Sequence, residues 1–124
     1  MYQIAGILVG GALGALLRFW VANGVYGVLG RQFPYGTLTV NVIGSFLIGY
    51  LTFFFMERDM LTSVWSRTLI VGVLGAFTTF STFSLDTFDL LMQGSLWRAG
   101  LNILLNVGLC LLAVWLGVLT GRLI

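Results

Sequence analysis

The sequence predicts an all-α membrane protein: four transmembrane helices in a single domain, residues 1–124. Three observations predict it. Of 124 residues, 59% are hydrophobic and only 8% are charged. Mean hydropathy is +1.04, well above what a water-wetted surface tolerates. The apolar residues fall into four long runs, and a hydrocarbon core of roughly 30 Å takes about 20 such residues per helix, which leaves no room for a sizeable soluble domain.

The first run extends from about Gln3 to Ala22. The opening "MYQIAGILVGGALG" lacks the basic segment and cleavage site of a signal peptide, so it is expected to begin a retained helix. The following "NGVYGVLGRQFPYG", rich in Gly and holding a Pro, reads as the first connection. A second run from about Thr37 to Met56 stops at "ERD". A third from about Arg67 to Leu91 ends among Asp89 to Gly94, and a fourth covers about Trp97 to Thr120. Trp20, Tyr35, Trp65 and Trp97 lie near the ends of these runs, where interfacial aromatics belong.

Charge narrows the function classes. Six Arg, no Lys and four acids give a net charge of +2, too small and too scattered for nucleic-acid binding. One Cys permits no internal disulfide, and without His a zinc or haem site has almost no ligands and a serine triad no base. An enzyme is not expected. Four spans place Arg58, Arg67 and Arg122 on one side of the membrane and Arg31 and Arg98 on the other, with Arg18 near the far end of the first helix making the division even. Orientation follows the excess of basic residues in short loops, so a balanced chain has little reason to prefer one direction. Dual topology is the expectation, and oppositely inserted copies would pair as an antiparallel homodimer with two-fold symmetry.

The polar residues inside the runs are patterned. Gly6, Gly10 and Gly14 form a ridge of small residues on the first helix that lets another backbone approach. Thr37, Asn41 and Ser45 share a stripe on the second helix, as do Asn102, Asn106 and Cys110 on the last. These stripes are either interhelical hydrogen-bond partners or a polar track through the bundle. Arg18 either snorkels to the headgroups or faces an aqueous vestibule.

The stretch "AFTTFSTFS", residues 76 to 84, raises the sharpest question, since five of its nine residues carry hydroxyls in the middle of a membrane span. After Gly72 and Gly75, such a run favours helix poorly. Two readings follow. In one the helix is interrupted, and its freed backbone groups are satisfied by hydroxyls, water, a partner chain or an ion. In the other the helix continues and its hydroxyls bond back to the preceding turn. Phe77, Phe80 and Phe83 drift around a helix at three-residue spacing and ordinarily pack. Ring edges are nonetheless positive, so edges beside amide and hydroxyl donors can replace the hydration of a small anion without fixed charge, which suits fluoride. Neutral donors spread along a track bind weakly enough to release, as conduction requires.

Three segments, "GGALGALLRF" at 10 to 19, "GTLTVNVIGSFLIG" at 36 to 49 and "GVLGAFTTFSTFSLD" at 72 to 86, resemble the small fluoride channels called Fluc or CrcB, and the similarity covers essentially the whole chain. The resemblance implies an antiparallel, dual-topology homodimer with two fluoride pathways and a central structural sodium ion. It places that sodium on the backbone carbonyls of Gly75 and Thr78 from each copy, where it implies that the third helix is broken near mid-membrane. It implies Asn41 as an anion-facing donor, Phe80 and Phe83 as pore aromatics and Arg18 as the family's first-helix arginine, with Ser81 and Thr82 in the matching hydroxyl run. Asn102 and Asn106 fall where the family carries polar residues, and Asp86 stands where Glu is expected. The implied role is passive fluoride export across the inner (plasma) membrane of a microbial cell, and the chain shows no P-loop pattern. Two rivals remain. A proton-coupled multidrug transporter needs a carboxylate deep in the bilayer, and the first helix has none. An assembly subunit without transport would use the polar stripes only as glue between helices.

Overall fold

The computed structural model describes residues 2–123, and every regular element among them is helical. The first, second and fourth spans are single helices: α1 (Tyr2–Leu29), α2 (Tyr35–Glu57) and α6 (Leu96–Leu123). The third, Val64–Met92, is assembled from four pieces. These are α3 (Val64–Ser66), a π-helical segment (Arg67–Leu74), α4 (Gly75–Phe77) and α5 (Phe80–Met92). All four spans are long and apolar enough to cross a bilayer, as expected of a multi-pass membrane protein.

Large apolar side chains cover the outside of the bundle, and polar ones share its interior. Leu8, Trp97 and Leu104 are exposed on the outside, while Val40 and Asn102 are the largest side chains that are fully buried. The other buried polar side chains are Thr37, Ser66, Thr79, Thr87 and Asn106. Lipid tails are as apolar as leucine, so many large apolar side chains stay outside, and the interior mixes apolar residues such as Phe55, Leu74, Phe77 and Leu90 with polar groups that need one another's hydrogen bonds.

Backbone proximity builds the bundle. α1 lies on the π-helical segment and α2 on α6. A Cβ added at Gly10 would stand 2.5 Å from the Thr68 carbonyl oxygen, and one at Gly14 would run into that of Val73. The glycine ridge of α1 therefore meets the third span main chain to main chain. Gly117 of α6 meets the Phe46 carbonyl of α2 in the same way.

The structure corrects one boundary. α1 does not stop at Ala22 but continues to Leu29, where Gly30 at φ +85° closes it and donates its N–H to the Tyr26 carbonyl at 2.8 Å. Asn23, Gly24 and Gly27 were weak stop signals in a membrane helix, where glycine is commoner than in soluble ones. The additional turns carry Tyr26 over Gly36, where a Cβ would stand 2.5 Å from the ring. The short connection Gly30–Pro34 then leads directly into α2.

Candidate functional site: an interrupted helix between two grooves

The third span breaks at Thr78 and Thr79, whose backbones are extended (φ −88°, ψ 161° and φ −152°, ψ 125°). A continuous helix would send the Thr79 N–H to the Gly75 carbonyl and the Thr82 N–H to the Thr78 carbonyl. Both donors are diverted. The Thr79 N–H goes to Asn41 Oδ1 at 2.8 Å, and the Thr82 N–H goes to Thr79 Oγ1 at 3.1 Å, so that Thr79 caps α5. Gly75 and Thr78 are thereby deprived of their helical donors. Of the two readings of this stretch, the interrupted one is observed, although local back-bonding also occurs: the Thr78, Ser84 and Thr87 hydroxyls donate to the carbonyls of Leu74, Phe80 and Phe83.

Asn41 fastens the break from α2. Its side-chain amide pairs with Thr79 as a second peptide would, accepting from the N–H and donating through Nδ2 to the carbonyl at 3.0 Å. The remaining Nδ2 proton goes to Asn106 Oδ1 at 3.1 Å. Asn106 Nδ2 donates to the Asn102 carbonyl at 3.0 Å and to Asn102 Oδ1 at 2.9 Å. Asn102 Nδ2 donates to Thr87 Oγ1 at 2.9 Å, and that hydroxyl donates to the Phe83 carbonyl at 2.8 Å. The polar stripes of α2 and α6 are thus one hydrogen-bonded ladder that ties the break to the first turns of α5. Gly44 makes room for it, since a Cβ there would collide with the Thr78 methyl group.

Two grooves flank the break. The first, of about 450 Å³, brings together Asn41, Gly75, Thr78, Phe80, Phe83 and Asn106, with Ser45 and Cys110 also on its wall. Phe83 is buried and Phe80 is 77% exposed, and their rings lie 5.3 Å apart at 55°. The second, of about 420 Å³, is lined by Arg18, Arg31, Tyr26, Thr37, Thr82 and Asp86. Thr79 borders both. Arg18 stands on the wall of this second groove. Ser81 lines neither groove; its hydroxyl is 3.4 Å from Thr79 Oγ1.

The second groove brings Tyr26, which the sequence did not single out, beside Thr37, Asp86 and Arg31. Thr37 Oγ1 donates to Asp86 Oδ2 at 2.7 Å, which leaves Tyr26 Oη as the donor in its 3.4 Å contact with Thr37 Oγ1. Arg31 lies 4.5 Å over the Tyr26 ring and donates to Asn23 Oδ1 at 3.1 Å. Tyr26 and Asn23 both fall in the Gly-rich stretch whose composition predicts a connection. Thr87 is the other omission; its one signal is its place one turn beyond Phe83.

Residues 5–118 match the family described as CrcB-like protein, Camphor Resistance (CrcB). The chain belongs to the CrcB family. It is 56% identical over 120 residues to a relative from Methylococcus capsulatus, covering 97% of this chain and 53% of that protein. A relative from Magnetococcus marinus is 52% identical over 122 residues, covering 98% and 99%, and one from Geobacter sulfurreducens is 48% identical over 126 residues, covering 98% of each. The chain thus spans about half of the first relative and nearly all of the other two. All three are named Fluoride-specific ion channel FluC, which denotes a channel and not an enzyme.

Proposed function

We propose that this protein is a fluoride-selective passive channel of the inner (plasma) membrane of a microbial cell, working as an antiparallel, dual-topology homodimer with two pores. The diverted donors at Thr79 and Thr82 carry this reading. They open the third span at a place where neutral donors, aromatic edges and bare carbonyls stand together, and irregular backbone persists in a membrane only where it lines a cavity or is buried in protein. The names of the relatives select fluoride among small anions.

The second groove gathers the anion with Arg18 and Arg31, and the first passes it along Asn41, Asn106, Phe80 and Phe83. A pore without fixed charge binds weakly and releases. No energy source is needed, because an interior-negative potential drives an anion outward by about 2.3 kcal/mol per 100 mV.

The Gly75 and Thr78 carbonyls fit a structural sodium ion, since unwound membrane backbone offers hard, neutral oxygens of the kind that hold alkali cations. Two oxygens replace only part of a hydration shell, so the site is completed by the same pair from a second copy across a two-fold axis. Such an ion would supply positive charge at the centre of the proposed dimer. Within each chain, Asn41 and Thr79 hold the two carbonyls clear of helical donors.

Purified protein in liposomes under an imposed fluoride gradient tests the reading. Fluoride efflux with negligible chloride leak is expected. Proton-coupled cation uptake would support the multidrug alternative, and absence of any flux the assembly role. Side-specific reporters on each terminus should find both orientations, and a single uniform one would remove dual topology.

A further inference from the structure

The ladder has only one allowed direction. At one end stands a group that can only donate, the Thr79 N–H, and at the other a group that can only accept, the Phe83 carbonyl. The Thr79 N–H forces Asn41 to present its oxygen there and its nitrogen toward Asn106. The Asn102 carbonyl forces Asn106 to turn its nitrogen inward and its oxygen toward Asn41. Both protons of Asn41 Nδ2 are therefore spent, one on the Thr79 carbonyl and one on Asn106 Oδ1, and both of Asn106 Nδ2 are spent on Asn102. The two amides that line the first groove offer an entering anion no free N–H.

We infer that a halide in the first groove binds by exchange, displacing Asn106 Oδ1 from Asn41 Nδ2, so that Asn106 acts as a built-in competitor that sets fluoride affinity. Of the two bonds from Asn41 Nδ2, the one to Asn106 is the exchangeable one. The bond to Thr79 belongs to a two-point pairing that holds the break, and losing it orphans a carbonyl of a buried residue. The bond to Asn106 joins two side chains that both line the groove. Asn106 thus sets affinity by occupying the donor, not by donating to the anion. Its competition keeps the site weak enough to empty, as conduction requires. This inference rests on the channel reading above.

The test is the fluoride dependence of efflux from liposomes for the unaltered protein, Asn106→Ala and Asn106→Leu. Both variants remove the competing oxygen, and half-saturation is expected at about five-fold lower fluoride, the factor for one hydrogen bond of about 1 kcal/mol that no longer has to be displaced. A purely structural role for Asn106 would lower flux and leave half-saturation unchanged or raised, and that result overturns the inference. A second measurement avoids any dependence on variant folding. In the unaltered ¹⁵N-labelled protein, a fluoride titration is expected to shift a side-chain N–H resonance of Asn41 and leave the Asn106 NH₂ pair nearly in place; a shift confined to Asn106 overturns the inference. If the unaltered protein passes no fluoride, the channel reading itself fails. If it does, and the midpoints do not fall, only the competition fails.

Discussion

The two grooves on either side of Thr79 differ in kind. The one shared by Arg18, Arg31, Thr37 and Asp86 is charged, and the one shared by Asn41, Asn106, Phe80 and Phe83 carries no formal charge at all. Charges at a mouth raise the local concentration of a counter-ion and act over a Debye length, whereas a charge in the narrow part would trap it. The break divides the two regimes, and the same Thr79 that borders both is the residue fastened most fully, through its N–H, its carbonyl and its hydroxyl.

The largest effect is expected at the fastening. Asn41→Leu removes both bonds to Thr79 and leaves a donor and an acceptor of a buried residue unpaired, costing roughly 2 to 6 kcal/mol at about 1 to 3 for each group. Loss of fluoride flux together with a lowered unfolding midpoint in detergent is the expected outcome. A variant with unchanged stability would show that the break holds itself open. On the neutral side, Phe83→Ile keeps an apolar side chain but removes the ring edge, and flux should fall sharply while the protein stays folded. Undiminished flux in both Phe83→Ile and Phe80→Ile would remove the aromatic part of the neutral groove.

A smaller effect is expected where the break is only accommodated. Gly44→Ala drives a methyl group into that of Thr78, and overpacking of this kind costs about 1 to 3 kcal/mol. Gly24→Ala, at a helical position with nothing within 4 Å of the added atom, serves as its control and should be neutral or slightly stabilising. Equal behaviour of the two variants in a thermal melt would mean that Thr78 is free to move.

Much of this was legible in the sequence, and what was not has a common cause. Four spans, the glycine ridge of α1 and the two polar stripes follow from composition and periodicity, because each is a local pattern that one helix carries alone. Propensity alone leaves the break as an alternative, and only the family resemblance implies it. "GAFTTFSTFS" lowers helix propensity, but the break is decided by Asn41, which lies 38 positions before Thr79. The π-helical turns at Arg67–Leu74 gave no local signal. They coincide with the contact of Gly10 and Gly14 against Thr68 and Val73, a meeting of distant segments. The length of α1 hides Tyr26 from a reading of the sequence, because Tyr26 lies in a Gly-rich stretch that predicts a loop. Asn41 was expected as a donor to the anion, and the residue type was the right one to notice; its partners in the ladder are long-range, so neither propensity nor spacing could show that both its protons are already engaged.

The charged groove permits the smallest and most conditional effect. Arg18→Gln keeps length and hydrogen-bonding capacity and removes one charge from the α1 wall. If Arg18 only gathers fluoride, the loss is one of local concentration, so flux should fall a few-fold at low fluoride and low ionic strength and recover as fluoride rises. Added inert salt should shrink the difference between variant and unaltered protein, because the Debye length contracts from about 30 Å at 0.01 M to about 3 Å at 1 M. Arg31→Gln should behave in the same way, and the double variant should show the two effects combined. A deficit that persists at high fluoride and high salt would instead place Arg18 in the conducting path. The division between a charged mouth and a neutral pore would then lie further along the chain of donors than Thr79.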